Sequence, residues 1–595
     1  MNLISFNNNN TTPQNKIYNR TQNTPIKFGL RMSAPLRADT VSFLGRNEKL
    51  SAKEKMNVYS NRLLDEINLK EDQPLYIQAD SKYLPFLNSI SAEAYKRGSG
   101  KVKLEVVEPE IEQLKKKYNI TEEFDYKKEE RQEFEDDNAI FLTLNDKNNP
   151  YKQAGLSDKE IKLELKEFNP EIPQKVRDEY KFSPEEICNT ALDLHKGEPV
   201  AIFAEREHLP YVVKLVDYLY SKNNTKLVDV TLNDKSSKNL LKYGKEELLD
   251  KVPQSSINEL KEKHLKDTAR LYLEGADPNE LEGVDSKRIV KRSQAFSKAR
   301  REYSNKMLNN NPWLIYYAPT TKSAAPTYPE FKDDSIKALS YAFKDANKIN
   351  RVGKLNEHVE ELEYRAKKMN NLLDNGYRTI HYVSVNPDTK QPDGKTDFTI
   401  DLSEKSKFNA AREDMKKTGH RPLVNIPTEE VFTSPLNNSA EGHIAATMPL
   451  TLNGKIVEGI EMTFHKGKIT DVTATKNEEM LKEHIKANKN ADRLGEVALV
   501  AGSPIAKTGR LFNNTLLDEN AACHLALGDA FAECIKGAGD IEDYKEQKEF
   551  LKNEHINSST THNDFMVGGP NVYISAVNKK TGDSIDIIKD DKFLL

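Results

Sequence analysis

This chain of 595 residues lacks the features that mark disulfide-rich, membrane and nucleic-acid-binding proteins. Its three cysteines, Cys188, Cys523 and Cys534, form no CxxC pair, so we expect no disulfide framework and a reducing, cytoplasmic location. No apolar run approaches the roughly 20 residues of a membrane span, and the amino terminus lacks a secretory pattern. The net charge is only −4, with acids and bases interspersed, so no basic surface for nucleic acid and no membrane patch are expected.

The first 48 residues are poor in apolar side chains, and NNNNTTPQN is their clearest tract. A segment of this composition cannot bury enough apolar surface to offset the entropy of ordering. We therefore predict a disordered tail over residues 1–48 that carries no chemistry.

Residues 49–375 alternate helical and strand-like stretches, which predicts an α/β domain. Two βαβ-type segments align without gaps at a fixed offset, so that Pro74 matches Pro199, Ala79 matches Ala204 and Tyr95 matches Tyr220. Chance similarity is the alternative, but the matching prolines and tyrosines favour a duplicated unit. The charged stretch KKEERQEFEDDNAIFLTLND between the copies predicts a solvated helical insertion around one short strand. Residues from about 255 to 309 are predicted to be helical.

Strand-like segments dominate residues 376–595, with a predicted helix over ENAACHLALGDAFAECIK. The predicted fold class is therefore an α/β N-terminal domain with a duplicated βαβ-type unit, followed by a β-rich α+β catalytic domain. The chemistry is expected in this second part.

Four of its segments place ionisable residues in apolar surroundings, namely NIPTEEVFTSP, LGEVALV, LLDENAACH and THNDFMVGG. Buried charges need partners or cations. In THNDFM, a strand puts His562 and Asp564 on one face, about 7 Å apart between Cα atoms. In LGEVALV, the lone Glu496 is costly unless it is paired, protonated or metal-bound.

The other two segments leave alternatives open. Glu429 and Glu430 face opposite ways on a strand unless a bulge intervenes, so one of them would bind metal while the other assists. In LLDENAACH, we expect Asn520 to cap a helix that starts at Ala521, with His524 in the first turn and Glu519 facing the same space. Together the segments supply enough ligands for two cations that share a carboxylate, an arrangement suited to two-metal hydrolysis.

In this order, PTEEVFT, LGEVALV, LDENAACHLALG and HNDFMVGG resemble the signature of the aminopeptidase T family of metalloaminopeptidases, which includes AmpS and PepS enzymes. The resemblance implies a homodimer around an enclosed cavity that releases the first residue of short peptides with free N-termini. It also implies two divalent ions, of zinc, cobalt, manganese or magnesium, with Glu496 as the bridge and Glu429 as the catalytic acceptor of the water's proton. The implied metal ligands are Glu430, Glu496, Glu519, His524, His562 and Asp564.

Two features depart from the family pattern. The resemblance leads us to expect a tyrosine at the position of Phe531, and the additional α/β copy is not expected. A catalytically weak homologue that binds peptides or partners is therefore the second hypothesis. A structural protein whose acids only form ion pairs is the third.

Overall fold

The computed structural model describes residues 50–168, 170, 172–173, 176, 181–349, 354–452, 455–512, 514–541 and 543–595. The predicted disordered tail, residues 1–48, lies outside the described residues. Among the helices in the described ranges, none is both long enough and apolar enough to cross a membrane.

The first part of the chain forms a sheet of three parallel strands in the order β2-β1-β3. The strands are β1 (Leu75–Asp80), β2 (Val102–Val107) and β3 (Ile140–Leu144). The helices of this part are Ala52–Glu66, Leu84–Lys96, Pro109–Lys117, Asp125–Asp136, Pro150–Gln153 and Asp158–Phe168. Apolar side chains such as Ile77 and Phe86 form a separate core between the sheet and its helices.

The charged segment contains the predicted solvated helix and one short strand, and that strand belongs to the first sheet. That the segment is an insertion stays a prediction. Its strand β3 pairs in parallel with the central strand β1. A parallel pair requires a long crossover connection, usually with a helix, and the helix Asp125–Asp136 lies in that connection. The segment is charged because the helix exposes most of one surface to solvent, with only Phe134 buried.

A second sheet of five parallel strands follows, in the order β11-β7-β6-β4-β5. Its strands are β4 (Val200–Ala204), β5 (Val228–Leu232), β6 (Ala269–Glu274), β7 (Trp313–Tyr317) and β11 (Asn425–Ile426). Its helices are Leu209–Ser221, Ser236–Tyr243, Gln254–Leu265, Ser286–Asn310, Thr321–Thr327, Ser335–Ala346 and Lys354–Asp374. The all-helical prediction for residues 255 to 309 missed β6. The charged residues Arg270 and Glu274 obscure the strand pattern, although Arg270 is buried and donates to Met307 O.

The two parallel sheets have matching elements, since β1 and β4 are each followed by a short helical turn and then by the helices Leu84–Lys96 and Leu209–Ser221. Their common origin by duplication stays a prediction. The two parts are joined by a buried ion pair, in which Arg206 donates to both carboxylate oxygens of Glu108 at 2.9 and 3.0 Å.

The remaining strands form two antiparallel sheets and a two-stranded hairpin, β14-β15. The larger sheet has the order β17-β16-β13-β9-β8-β21-β22-β23, and the smaller has the order β10-β12-β18-β19-β20. The strands are β8 (Thr379–Val385), β9 (Pro392–Asp401), β10 (Asn409–Ala410), β12 (Glu430–Thr433), β13 (Glu441–Ala445), β14 (Leu450–Leu452), β15 (Lys455–Val457), β16 (Glu461–His465), β17 (Lys468–Thr473), β18 (Leu494–Val500), β19 (His524–Gly528), β20 (His562–Met566), β21 (Val572–Val577), β22 (Ser584–Lys589) and β23 (Lys592–Phe593). The helices of this part are Glu478–Ala487, Thr515–Glu519 and Tyr544–Asn553.

The predicted helix that starts at Ala521 is wrong. The helix Thr515–Glu519 ends just before the predicted one begins, and His524 begins strand β19 between β18 and β20. All five residues of β19 are buried, and a fully buried apolar run has no period that separates a strand from a helix. His524 therefore lies on a sheet and not in a helical turn.

The β-rich part shares one core with the second parallel sheet. Ile202, Leu314, Leu362, Val431 and Phe565 all belong to this continuous core. Strand β11 links the two parts directly, because it pairs with β7 shortly before the chain reaches Glu429 and Glu430.

Candidate metal centre

One face of the smaller antiparallel sheet carries five of the six predicted ligands. Residues opposite each other on antiparallel strands share a face, and so do residues two apart on one strand. Glu496 on β18 lies opposite Ala526 on β19, which in turn lies opposite Asp564 on β20. His524 and His562 are two positions from Ala526 and Asp564 on the same strands. Because Ala526 is small, the acids and imidazoles on either side can approach one another.

The side chains on this face form two groups that share Glu496. His562 Nε2 lies 3.0 Å from Glu496 Oε2 and 3.2 Å from Asp564 Oδ1. His524 Nε2 lies 3.2 Å from Glu430 Oε2. Donor atoms of Glu430, Glu496 and His524 lie within 4.8 Å of one another, and so do those of Glu496, His562 and Asp564. We call these residues, together with Glu519, the sheet-face centre.

Glu519 reaches the sheet-face centre from the last residue of the short helix Thr515–Glu519. Asn514 caps this helix by accepting a hydrogen bond from Leu517 N–H at 3.2 Å. Burial, and then the charges of Glu430 and Asp564, raise the pKa of Glu519 well above its usual value. Within the described ranges Glu519 has no hydrogen bond or ion pair of its own, so its carboxyl group is available as a ligand.

The sheet-face centre holds four carboxyl groups and two imidazoles in one buried space, and their pKa values are shifted accordingly. Burial raises the pKa of Glu496 to about 7, against the opposing effect of His562. Burial lowers the pKa of His524, but the hydrogen bond and charge of Glu430 outweigh it and raise that pKa to about 10. Burial likewise disfavours the cation of His562, yet Asp564 and Glu496 hold its pKa well above the usual range. The imidazoles thus act as the cations of this cluster.

An orphaned oxygen shows that the donors suit a metal ion. Asp564 Oδ1 is buried and has no hydrogen-bond partner in the described part of the chain, although His562 lies at ion-pair distance. A buried acceptor without a partner is costly, and a cation would satisfy it. Carboxylate oxygens and imidazole nitrogens are ordinary ligands of divalent ions. The residues present therefore fit a metal centre.

Glu429 directly precedes β12, and its carboxylate has partners other than the metal ligands. Its carboxylate is 4% exposed and lies 2.8 Å from Lys348 Nζ and 3.5 Å from His358 Nε2. Its backbone N–H donates to Asn520 Oδ1 at 2.7 Å, while Asn520 Nδ2 donates to Leu516 O. Asn520, predicted to cap a helix, instead ties the start of β12 to the short helix that ends at Glu519.

Lys348 and His358 were missed by the sequence analysis. Lys348 follows the helix Ser335–Ala346, and His358 lies in the helix Lys354–Asp374, both distant in sequence from the four motifs. His358 Nε2–H donates to Thr428 O at 2.7 Å, and burial lowers the pKa of His358 despite the neighbouring Glu429. Neither residue stands out from the surrounding charged sequence, so no sequence signal would have identified them.

Phe531 forms an apolar wall beside the centre. Its ring centroid lies 4.9 Å from that of His562 and 5.6 Å from that of Phe432. Its backbone N–H donates to Ser434 Oγ at 3.0 Å, which fixes the ring over His562. The position where a tyrosine was expected thus lies at the centre but offers no hydroxyl donor.

Comparison with known proteins agrees with this geometry. The family model described as thermophilic metalloprotease (M29) matches residues 53–181 and 185–593. The chain belongs to the M29 family. This confirms the resemblance predicted from the four motifs and, with it, the class of enzyme, a metalloaminopeptidase hydrolase.

Individual relatives of this M29 chain match only part of it. Aminopeptidase AmpS of Bacillus subtilis is 30% identical over 389 residues, which cover 65% of this chain and 91% of AmpS. Aminopeptidase T of Thermus aquaticus is 31% identical over 395 residues, which cover 65% of this chain and 91% of the relative. The solved structure of wild-type AmpT from Thermus thermophilus superposes with a TM-score of 0.61 at 27% identity, covering 71% of this chain and all of AmpT. About a third of the M29 chain thus lies outside each match.

Proposed function

We propose that the chain is a two-metal aminopeptidase that releases N-terminal residues from short peptides with free N-termini. The sharing of Glu496 between two groups of ligands carries this proposal, because a carboxylate in that position can bridge two ions. Charge supports it as well. With neutral imidazoles, the carboxylates of Glu430, Glu496, Glu519 and Asp564 would carry about four negative charges, which two divalent cations would neutralise.

The proposed ligands are the six residues of the sheet-face centre, with Glu496 between the two ions. Zinc, cobalt, manganese and magnesium are the candidate metals. When bound, the ions would supply Lewis acidity and lower the pKa of an attacking water. His562 and His524 would then give up the protons that they share with their acid neighbours. The small Ala526 between the strands would leave space for the scissile carbonyl.

Glu429 is the proposed acceptor of the water's proton, which it would return to the leaving amine. Its carboxylate is not aimed at the ligand cluster, so we infer that the salt bridge to Lys348 positions it at the edge of the site. Asn520 supports the same arrangement, since its side chain connects the backbone of Glu429 to the helix that carries Glu519.

The second candidate function is peptide or partner binding by a catalytically weak homologue. The specific observation in its favour is Phe531, which leaves the centre without a hydroxyl at the position where it could stabilise an oxyanion. The third hypothesis, acids that only form ion pairs, does not account for Glu519, whose carboxyl group lies near Glu430 and Asp564 without an ion pair in the described part of the chain.

A cytoplasmic location and a homodimer complete the proposal. Among the described residues, Cys188, Cys523 and Cys534 are free and buried, which suits a reducing compartment. The dimer rests on the family resemblance alone, and sedimentation of the full chain would test it.

The experiment that tests the proposed function compares metal-stripped protein with protein reconstituted with zinc or cobalt. Dipeptides and aminoacyl reporters serve as substrates, and an N-terminally blocked peptide is the control. Release from free but not blocked termini, restored by metal, is the expected result. Tight metal binding without turnover on the whole panel would support the binding protein, and no stoichiometric metal would support the ion-pair hypothesis.

A further inference from the structure

A second group of imidazoles and a carboxylate lies where the second parallel sheet meets the β-rich part. His195 and Glu198 belong to the turn that precedes β4, and His420 lies in the hairpin between β10 and β11. We call these three residues the loop cluster. None of them contacts the sheet-face centre through a described hydrogen bond or ion pair, and none was singled out by the sequence motifs.

The side chains of the loop cluster converge on one carboxylate. His420 Nε2 lies 2.9 Å from Glu198 Oε2, and His195 Nδ1 lies 3.3 Å from Glu198 Oε1. The two imidazole rings stack with centroids 3.9 Å apart and planes 26° apart. One potential ligand atom from each of the three residues lies within 4.8 Å of the others. Bonds of 2.0–2.2 Å to a tetrahedral ion require ligand atoms about 3–4 Å apart, so only small movements would be needed.

Hydrogen bonds from backbone N–H groups hold the turn and the hairpin that carry these donors. On the hairpin, Leu423 N–H donates to Ala191 O at 2.7 Å, and Arg421 N–H donates to Asp193 Oδ2 at 2.7 Å. On the turn, His195 N–H donates to Glu198 Oε2 at 2.8 Å. The site is therefore preorganised by contacts that a ligand would not have to form.

The two histidines of the loop cluster differ in exposure. The side chain of His420 is fully buried, and its Nδ1 has no hydrogen-bond partner among the described residues. The other ring nitrogen, Nε2, faces Glu198 and is the ligand atom that His420 offers to the loop cluster. The side chain of His195 is 55% exposed, so the cluster opens to solvent on that side.

We propose that the loop cluster binds one divalent transition-metal ion through His195, Glu198 and His420. Two imidazoles and one carboxylate suit zinc, cobalt or nickel and do not suit calcium or magnesium, which prefer oxygen ligands. Solvent would supply the fourth ligand on the exposed side of His195. The bound ion would join the second parallel sheet to the hairpin of the β-rich part and would stabilise their junction. This inference rests on the geometry of the loop cluster and not on the proposed catalytic function.

The test is the zinc content of the full chain after equilibration with zinc and removal of free metal. His195→Gln is the variant of choice, because His195 is the exposed member and its loss leaves the buried His420–Glu198 pair intact. His465→Gln is the matched control, since His465 is a similarly exposed histidine that lies 3.0 Å from Glu441 without a third ligand. The expected result is one zinc ion fewer in His195→Gln than in the natural sequence, with His465→Gln unchanged.

A second measurement compares the zinc-dependent rise in melting temperature. We expect His195→Gln to lose a few degrees of that rise, on the order that binding linkage predicts, while peptidase activity with saturating metal is retained. Equal zinc content in His195→Gln and the natural sequence would overturn the proposal. If the natural sequence binds a single ion and His195→Gln binds none, the loop site stands and the proposed two-metal function fails.

Discussion

The sheet-face centre and the loop cluster use the same side-chain types in different proportions and surroundings. The sheet-face centre has four carboxylates for two imidazoles, and Glu496 and His524 in it are 3% and 1% exposed. The loop cluster has one carboxylate for two imidazoles, and His195 stands largely in solvent. Excess acid in a buried space requires compensation by cations, whereas the loop cluster has a single carboxylate and can exist without an ion.

The sheet-face centre and the loop cluster also differ in the secondary structure that carries their side chains. The sheet-face centre stands on adjacent, fully paired strands whose other face lies in the shared core with Val431, Val497 and Phe565. The loop cluster stands on a turn and a hairpin held by a few backbone hydrogen bonds. Rigid elements hold catalytic groups more accurately than loops do, so we assign chemistry to the first and stabilisation to the second.

The largest effect is expected from Glu496→Gln, which removes the shared carboxylate while keeping its volume. We expect kcat/KM to fall by at least about 100-fold, because both groups of ligands lose a charged member. Peptidase assays combined with metal analysis would check this, and the ion of the loop cluster should remain bound.

Glu441→Gln is the control for that variant, since it changes an exposed carboxylate of the larger antiparallel sheet that pairs with His465. Its activity should equal that of the natural sequence. A Glu496→Gln variant with full activity and full metal content would show that the mechanism does not need a bridging carboxylate at this position.

The next effect is the pH dependence of metal affinity at the sheet-face centre. In the metal-free protein the pKa is about 7 for Glu496 and about 10 for His524, so His524 holds a proton throughout the neutral range and Glu496 holds one below pH 7. Metal binding must release these protons, and affinity should therefore rise with pH, about tenfold per unit for each proton released. The dependence should weaken by one proton above pH 7, where Glu496 is already ionised.

Competition with a chromophoric chelator between pH 6 and 8 would measure this slope. The His195→Gln background confines the measurement to the sheet-face centre. An affinity that does not change across this range would contradict the protonated state inferred for the cluster.

Much of this centre was predictable because strands with lone acids are conspicuous. Glu496 is the one charged residue of LGEVALV, and the alternation of THNDFM places His562 and Asp564 together, as the structure has them. The environment of His524 was not predictable, since the buried run HLALG has no period and adopts strand geometry only through pairing on both sides. The partners of Glu429 depend on tertiary contacts from two distant helical segments. The loop cluster was missed for the same reason, since His420 is more than two hundred positions from His195.

A smaller effect is expected at Lys348. This residue pairs with Glu429, whereas Glu430 lies beside the ligand His524. Lys348→Met removes the ammonium group that lies 2.8 Å from the buried Glu429 carboxylate and leaves His358 at 3.5 Å, so Glu429 is positioned less firmly. We expect kcat to fall about tenfold, with KM and metal content little changed. Lys348→Arg is the matched variant and should retain most of the activity because it keeps the positive charge. Loss of stability without a change in kcat would show that Lys348 has only a structural role.

The smallest effect is expected from Phe531→Tyr. This variant tests whether the sheet-face centre lacks a hydroxyl donor for the oxyanion while its metal ligands are complete. The ring already packs over His562, so a hydroxyl can be added without displacing a metal ligand. Oxyanion donors contribute on the order of 10²–10³ in rate where the surrounding site is adapted to them. Because this site carries Phe531 and is not adapted to a hydroxyl group at that position, we expect a gain in kcat of only about three- to tenfold.

Phe531→Leu is the companion variant, because it removes the ring without adding a donor and should not raise kcat. Steady-state kinetics at saturating metal would separate the two variants, and metal content should be the same in both. A tyrosine variant that gains nothing while binding the same metal would mean that another group already stabilises the oxyanion. The replacement of the expected tyrosine by Phe531 would then affect the packing around His562 and not the rate of the chemical step.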